Sequence, residues 1–334
     1  MSNGQWYPPE WPDRIRALAS GELSPATPKR AATVLLLSDG DTAGDTDGVG
    51  PVGVGREDAG RESIGREDAA LLAGSVRRGR GLTVHMLRRR ASMAFAGGAY
   101  AYPGGGVDPR DDESLVRWAG PSLAEWGERL GLPDDLGAAQ AVVCAAVRET
   151  FEEAGVLLAG ATPDTVVDDT TGDDWEADRQ ALVARELAFA EFLDRRKLVL
   201  RSDLLGAWAR WITPEFEPRR YDTWFFVAAL PPGQRTRNAS TEADRTVWTT
   251  PADAAAGYDR GELLMMPPTV STLRRLLPYR TVAEVLAAAS GQDMTPVLAQ
   301  ARLVDGELVL SWPGHDEFTK HIPAGEAPAV GGPR

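Results

Sequence analysis

The chain has 334 residues, 43% of them hydrophobic, which suffices for a packed core in one large decorated domain or two smaller ones and excludes wholesale disorder. A formal net charge of -13 repels duplex nucleic acid and anionic membranes alike. The same field repels a phosphorylated substrate unless a bound cation or a local basic patch reverses it.

The single cysteine, Cys144, forbids an intrachain disulfide and argues against a thiolate zinc site. Residues 1–16 lack an apolar signal core, and no window reaches the ~20 apolar residues that span a bilayer. The expectation is a cytoplasmic protein with no membrane partner.

Residues 31–37 (AATVLLL) read as a buried strand. Residues 39–81 are rich in Gly, Asp, Arg and Glu and hold the tandem repeat GREDA–GRESI–GREDA at 55–69. A period of five matches neither helix nor strand, so a low-complexity insert is expected there. Residues 82–88 alternate as a second strand, with His85 a structural residue, and 94–108 (AFAGGAYAYPGGGVD) read as two glycine turns around a short aromatic strand. A short helix is predicted over 123–130, and a strong one over 139–154 stopped at Gly155. Cys144 on that helix is expected to be a small buried residue. Residues 175–196 read as one long helical stretch, and 204–212 are apolar and Trp-rich. Strands are predicted at 221–230 and 246–249. Helices are predicted from Pro251, over 268–277 and over 282–289. Residues 303–310 read as a hairpin turning at Asp305-Gly306, followed by a disordered tail after Pro323. Regular βαβ alternation is absent, which favours an α+β layered domain. The expected organisation is an extension at 1–30, a main domain at 31–290 with inserts at 39–81, 109–138 and 163–212, and a hairpin with tail at 291–334.

The chemistry concentrates in residues 148–156, RETFEEAGV. On a helix Glu149, Glu152 and Glu153 share one face, while Val143, Val147, Phe151 and Ala154 face inward. Three carboxylates near a helix C-terminus repel one another and the dipole. Arg148 can pair with Glu152 at i+4, but one guanidinium does not balance three acids. Such an oxygen cluster suits Mg²⁺ or Mn²⁺. The plain alternative, a solvated acidic face, is countered by context: Pro103-Gly104-Gly105-Gly106-Val107-Asp108 stands upstream and Gly155-Val156 follows directly.

These residues resemble the box of the Nudix family, G-x5-E-x7-R-E-U-x-E-E-x-G-U, where U is a bulky apolar residue. The second half matches from Arg148 to Val156, with Thr150 at the first U. The first half is interrupted. Gln140 occupies the place of the family's first Glu before Arg148, whereas counting from Gly105 reaches Asp111. Asp112 and Glu113 are further candidates. Phe95, Gly97, Gly98, Ala99, Tyr100 and the run 219–226 (RRYDTWFF) are similar to a branch that includes the peroxisomal coenzyme A diphosphatases and bacterial relatives.

The resemblance implies a mixed-sheet αβα sandwich whose helical inserts roof the cleft. It also implies metal-assisted attack of water on a diphosphate phosphorus. The substrate would be a nucleoside diphosphate linked to another moiety, coenzyme A-like or a dinucleotide. Glu152 and Glu153 would be metal ligands, with Glu149 a further ligand or the base and Arg148 orienting them. The Gly104 carbonyl is a further ligand candidate, and so is Glu242, which could also be the base. Gly105, Arg88, Arg219 and Arg220 are candidates for substrate binding; for the arginines the alternative is ordinary surface or strand-end charge. His315 and His321 are not expected to bind metal, and Trp208 and Trp211 are expected in the core. A homodimer is left open. The departure at the first Glu keeps a rival class in view: a Nudix domain that senses a nucleotide ligand or binds protein without turnover.

Overall fold

Strand β1 (Lys29–Asp39) has Ala32 and the run Val34, Leu35, Leu36 and Leu37 fully buried. Consecutive buried residues on a strand mean that both faces of the sheet are covered. This computed structural model describes residues 8–40, 81–93, 96–111, 116–305 and 307–323. The repeat, Phe95, Asp112, Glu113, Gly306 of the expected turn and the tail lie outside the described residues. The chain divides into a larger unit, Ala31–Ala209 with Trp224–Met294, and a smaller one, Met1–Arg30 with Arg210–Thr223 and Thr295–Arg334.

The smaller unit begins with helix α1 (Trp11–Ala19). The elements of the larger unit follow. Its strands are β2 (Leu82–Arg89), β3 (Tyr100–Ala101), β4 (Gly104–Gly106), β5 (Trp118–Ala119), β6 (Ala159–Gly160), β7 (Val199–Arg201), β8 (Leu205–Ile212), β9 (Tyr221–Ala229) and β10 (Ala243–Thr249), where residues 210–212 of β8 and 221–223 of β9 belong to the smaller unit. Its helices are α2 (Leu123–Leu130), α3 (Leu136–Ala154), α4 (Asp173–Val183), α5 (Phe189–Arg195), α6 (Pro251–Asp259), α7 (Pro267–Arg274) and α8 (Val282–Ala289).

The sheet order in this unit is β10-β2-β1-β9-β8, with β3 on β2 and β4 on β1. β1 runs antiparallel to β2 and to the glycine strand β4, which places Thr33 opposite Gly104 and Ala32 opposite Gly105. Helix α3 covers one face. It is buried almost all round, and its apolar side chains share a core with Val34, Leu36, Trp126, Phe192, Trp224 and Phe226. On the other face Trp208 Nε1 donates to the Thr272 carbonyl at 3.2 Å and the Tyr102 hydroxyl to that of Thr269 at 3.0 Å. This αβα layering is the expected α+β Nudix-type architecture. Among the described residues no helix is long and apolar enough to cross a membrane.

The helix ends follow local chemistry. Ser122 and Glu125 form a reciprocal capping box at α2. Asp135 caps α3 by accepting from the Ala138 N–H, so this helix starts a turn earlier than its apolar pattern suggests. Gly155, at φ 71°, ends it. The stretch 175–196 differs from expectation: it is two helices. After α4 the chain turns at Arg185, φ 58°, and Ala188 is extended before α5 begins. Residues 205–212, left without a secondary structure by composition, are a sheet strand.

A small second sheet ties two distant segments together. Trp118 of β5 pairs in parallel with Leu200 of β7, and Ala159 of β6 pairs antiparallel with the same residue. Trp126 Nε1 donates to Ser202 Oγ, which donates to the Ala119 carbonyl. The segment that interrupts the box is thus fixed to the segment after α5.

In the smaller unit, β11 (Val297–Leu298) pairs in parallel with the end of β8. β12 (Gln300–Val304), β13 (Glu307–Trp312) and β14 (His315–Pro323) form an antiparallel sheet. The expected hairpin is its first half. β14 escapes composition because its polar run HDEFTKHIP buries only Phe318 and Ile322. Trp211, His315 and Phe318 pack together, so His315 is engaged in ring contacts.

His85, opposite Trp248 in the β2–β10 pairing, is completely buried, and neither ring nitrogen has a hydrogen-bond partner among the described residues. Burial pushes its pKa down from 6.5 to about 3. Below pH 6.5 the unfolded chain binds a proton there that the folded protein refuses, so stability falls as the pH drops through this window. From this group alone, the loss between pH 7.5 and 5.5 is about 1.4 kcal/mol. We expect His85→Phe to keep or raise stability at pH 7.5 and to shrink the loss at pH 5.5 by about that amount, read by urea unfolding at both pH values.

Candidate active site

Arg148 organises the carboxyl end of α3. Its Nη1 donates to Glu149 Oε1 at 2.8 Å and to Glu152 Oε1 at 3.1 Å. Its Nη2 donates to the Gly106 carbonyl at 2.8 Å and to Asp111 Oδ2 at 3.2 Å. Arg148, Glu149, Glu152 and Asp111 are all buried. The 3₁₀ turn Pro109–Asp111 delivers the aspartate, and Gln140 Nε2 donates to its backbone carbonyl. Of the described candidates for the missing first acid, Asp111 brings a carboxylate to Arg148, and Gln140 supports it from behind.

The glycine strand β4 abuts the same helix. The Gly104 N–H donates to Glu153 Oε2 at 2.9 Å, so its amide is what meets the acid. A Cβ on Gly105 would stand 2.6 Å from the Glu149 carboxylate, which is why this position has no side chain. Ser240 Oγ donates to Glu153 Oε1 at 3.4 Å and accepts from the Glu242 N–H at 3.2 Å. The loop holding them is tethered to the helix end: the Arg237 N–H donates to the Ala154 carbonyl, and its guanidinium donates to Thr170 and lies against Gly155. Glu242 itself is exposed, 3.7 Å from Arg89. Thr150 fits its apolar position because its hydroxyl donates to the Ala146 carbonyl at 2.7 Å, leaving nothing unsatisfied.

Three carboxylates surround one guanidinium and Glu153 lies beside them, and their charge shows in their proton affinity. Burial pushes Glu149 up to about 7 and Glu153 up to about 8, and each is raised further by its carboxylate neighbours. Burial also raises Asp111 and Glu152, against the pull of Arg148.

The acids line a cavity of about 180 Å³. Its other walls come from Asp108 and Arg110, from residues 239–242, and from the α4–α5 link with Leu182, Arg185, Leu187 and Phe189. Residue patterning does not point to Arg179, whose Nη1 donates to the Glu152 carbonyl at 2.7 Å while Nη2 pairs with Glu176. An arginine one helix away, without a motif around it, carries no legible signal. Among the expected substrate contacts, Gly105 borders Glu149, whereas Arg88 pairs with Asp244 at 2.8 Å. Arg219 and Arg220 belong to the smaller unit, where Arg220 donates to the Thr213 and Ala26 carbonyls.

A family model described as the NUDT19 Nudix domain matches residues 121–276. Over that stretch, just under half of its length, the chain resembles the Nudix hydrolase family. It is 24% identical to the acyl-coenzyme A diphosphatase NUDT19 of Xenopus laevis, over 70% of this chain and 71% of that protein. It is 25% identical to the human protein of the same name, over 61% of this chain and 63% of that protein. Against such relatives the chain thus spans roughly two thirds of their length. The crystal structure of a Nudix hydrolase from Alicyclobacillus acidocaldarius shares the fold, with a TM-score of 0.57 and 24% identity, over 81% of this chain and 99% of that one.

The donor set of this Nudix cluster fits a hard divalent cation by chemistry and by charge: oxygen ligands, and an excess of negative charge that burial makes costly. The side chains are not gathered as a ligand set. Among the described residues no three acidic, His or Cys groups converge to hold an ion, since Arg148 stands between Glu149 and Glu152 and Glu153 faces Gly104.

The contact at Gly105 is testable without an activity assay. Gly105→Ala should cost about 1–3 kcal/mol by overpacking against the Glu149 carboxylate. Glu149→Ala should relieve most of that cost in the double variant, a non-additivity read by urea unfolding.

Proposed function

We propose that this Nudix domain hydrolyses the diphosphate bond of a nucleoside diphosphate joined to another moiety, with coenzyme A-type molecules as the favoured substrates and Mg²⁺ or Mn²⁺ as cofactor. The observation that carries this is the gathering of Asp111, Glu149 and Glu152 on one buried guanidinium at a cleft, with Glu153 beside them. The relatives named as acyl-coenzyme A diphosphatases favour the substrate class.

A cation held by Glu152 and Glu153, with Glu149 as a further ligand or as the base, would neutralise the diphosphate oxygens and orient them for in-line displacement. Arg148 fixes the rotamers of Glu149 and Glu152, and Asp111 holds Arg148 from its other side. Glu149 gives Oε1 to Arg148, so Oε2 is the oxygen that takes the proton of the attacking water. A proton affinity near neutrality suits that task. Glu242, exposed on the cleft wall, is the alternative base. The water oxygen forms a bond to phosphorus, and the bridging oxygen leaves with its phosphate. A buried free thiol at Cys144 suits a reducing compartment such as the cytoplasm.

A second reading has one observation in its favour. Among the described residues no three acids converge as a ligand set, the three nearest being shared with Arg148, and a nucleotide-sensing Nudix domain without turnover fits the same cluster.

The two part in one assay. Coenzyme A, acyl-coenzyme A, ADP-ribose, dinucleoside polyphosphates and nucleoside triphosphates are offered with Mg²⁺ or Mn²⁺ to the parent and to Glu152→Gln. Hydrolysis should require the cation, prefer the coenzyme A class, and fall at least about 100-fold in Glu152→Gln while the protein stays folded. A folded parent that binds a nucleotide from this panel yet turns over none of it favours the sensing role.

A further inference from the structure

The cleft wall carries three guanidinium groups, and two are already committed. Arg148 is shared among Asp111, Glu149 and Glu152. Arg110 makes a paired contact with Asp108, Nε to Oδ1 at 3.0 Å and Nη2 to Oδ2 at 2.7 Å. Arg185 is exposed, and its guanidinium has no partner among the described residues. A cation without a counterion, on the rim of a cleft dense in carboxylates, is positioned for an anion brought from outside.

The backbone around it makes this more specific. Arg185 follows the C-cap of α4 at φ 58°, the conformation in which glycine is favoured. Its N–H donates to the Leu182 carbonyl and the Glu186 N–H to that of Ala181, the double closure of a Schellman turn. Nothing in that turn uses the arginine side chain, and glycine would adopt it without a steric cost. The conformation alone does not single the residue out, because Lys197 after α5 adopts it at φ 56°. Lys197, however, pairs with Asp194 at 3.2 Å, whereas Arg185 is among the residues that line the cleft. The turn is also fastened to the site, since Arg110 Nη1 donates to the Arg185 carbonyl at 3.2 Å. Leu187 and Phe189 lie just beyond, buried and apolar.

We propose that Arg185 is a specificity residue of the cleft that binds a phosphate group of the substrate, with Leu187 and Phe189 taking the apolar or ring portion next to it. For turnover this rests on the hydrolase function proposed above. Two phosphates are available on a coenzyme A-type molecule: the diphosphate itself and the separate phosphate on the ribose. Both present the same chemistry to a guanidinium.

The test compares the parent with Arg185→Gly, Arg185→Asn and Arg185→Lys. Its probes are coenzyme A and dephospho-coenzyme A, the same molecule without the ribose phosphate. Glycine and asparagine both tolerate the left-handed turn, so the thermal midpoint should hold or rise. In the same two variants KM for coenzyme A should rise about tenfold, the scale of one charge-assisted contact at an exposed site, with kcat falling less. Lysine should restore part of the affinity. A rise for coenzyme A alone identifies the ribose phosphate; a rise for both probes identifies the diphosphate. An unchanged KM for both, in a folded glycine variant, overturns the proposal. Should the parent turn over neither probe, the coenzyme A preference proposed above fails by itself. Equilibrium titration with coenzyme A then decides here: a tenfold weaker Kd in Arg185→Gly supports the anchor, while equal affinity, or no binding by the parent, overturns it.

Discussion

Everything at the candidate site depends on one buried guanidinium. Arg148 sits among Asp111, Glu149 and Glu152 and also donates to the Gly106 carbonyl, so a single side chain joins the acidic helix, the glycine strand and the 3₁₀ turn. Burying a charge is costly unless it is paired and hydrogen-bonded. Here the pairing is lopsided, with more anions than cations, and the surplus stays in the raised proton affinities of Glu149 and Glu153. The fold keeps this arrangement because α3 is anchored over the rest of its length by an apolar core that does not involve the acids.

That imbalance also bears on the whole molecule. A chain of net charge -13 that lines its cleft with carboxylates would repel a diphosphate at long range and at contact. Under the proposed function, a cation at the acids and Arg185 on the rim would address the two distances separately, the acids meeting the diphosphate and the rim another part of the substrate.

Much of this was legible in the residues themselves. The helix 139–154, its glycine stop and the facing of its acids follow from spacing alone, and the capped start at Asp135 adds one turn. The strands flanking it are apolar enough to be read directly. What stayed hidden has physical reasons. Asp111 and Arg148 are 37 positions apart, and only the path of the intervening chain decides which acid arrives. The break of 175–196 into two helices turns on an arginine in a conformation that its residue type does not announce. Arg179 acts through the Glu152 backbone, which no side-chain pattern encodes.

The tether at Arg237 gives the site a mechanical property. Its amide holds the last carbonyl of the acidic helix, its side chain lies over Gly155, and three residues later Ser240 bridges to Glu153 and to the amide of Glu242. The helix end and the loop are therefore fastened to each other, with the glycine at the point of closest approach. A methyl group at position 155 would meet Arg237 at 2.8 Å and push on the loop. Arg237 would have to give way, and with it the loop that carries Ser240 and Glu242, so a residue with no chemistry of its own leaves room for that loop beside the acids.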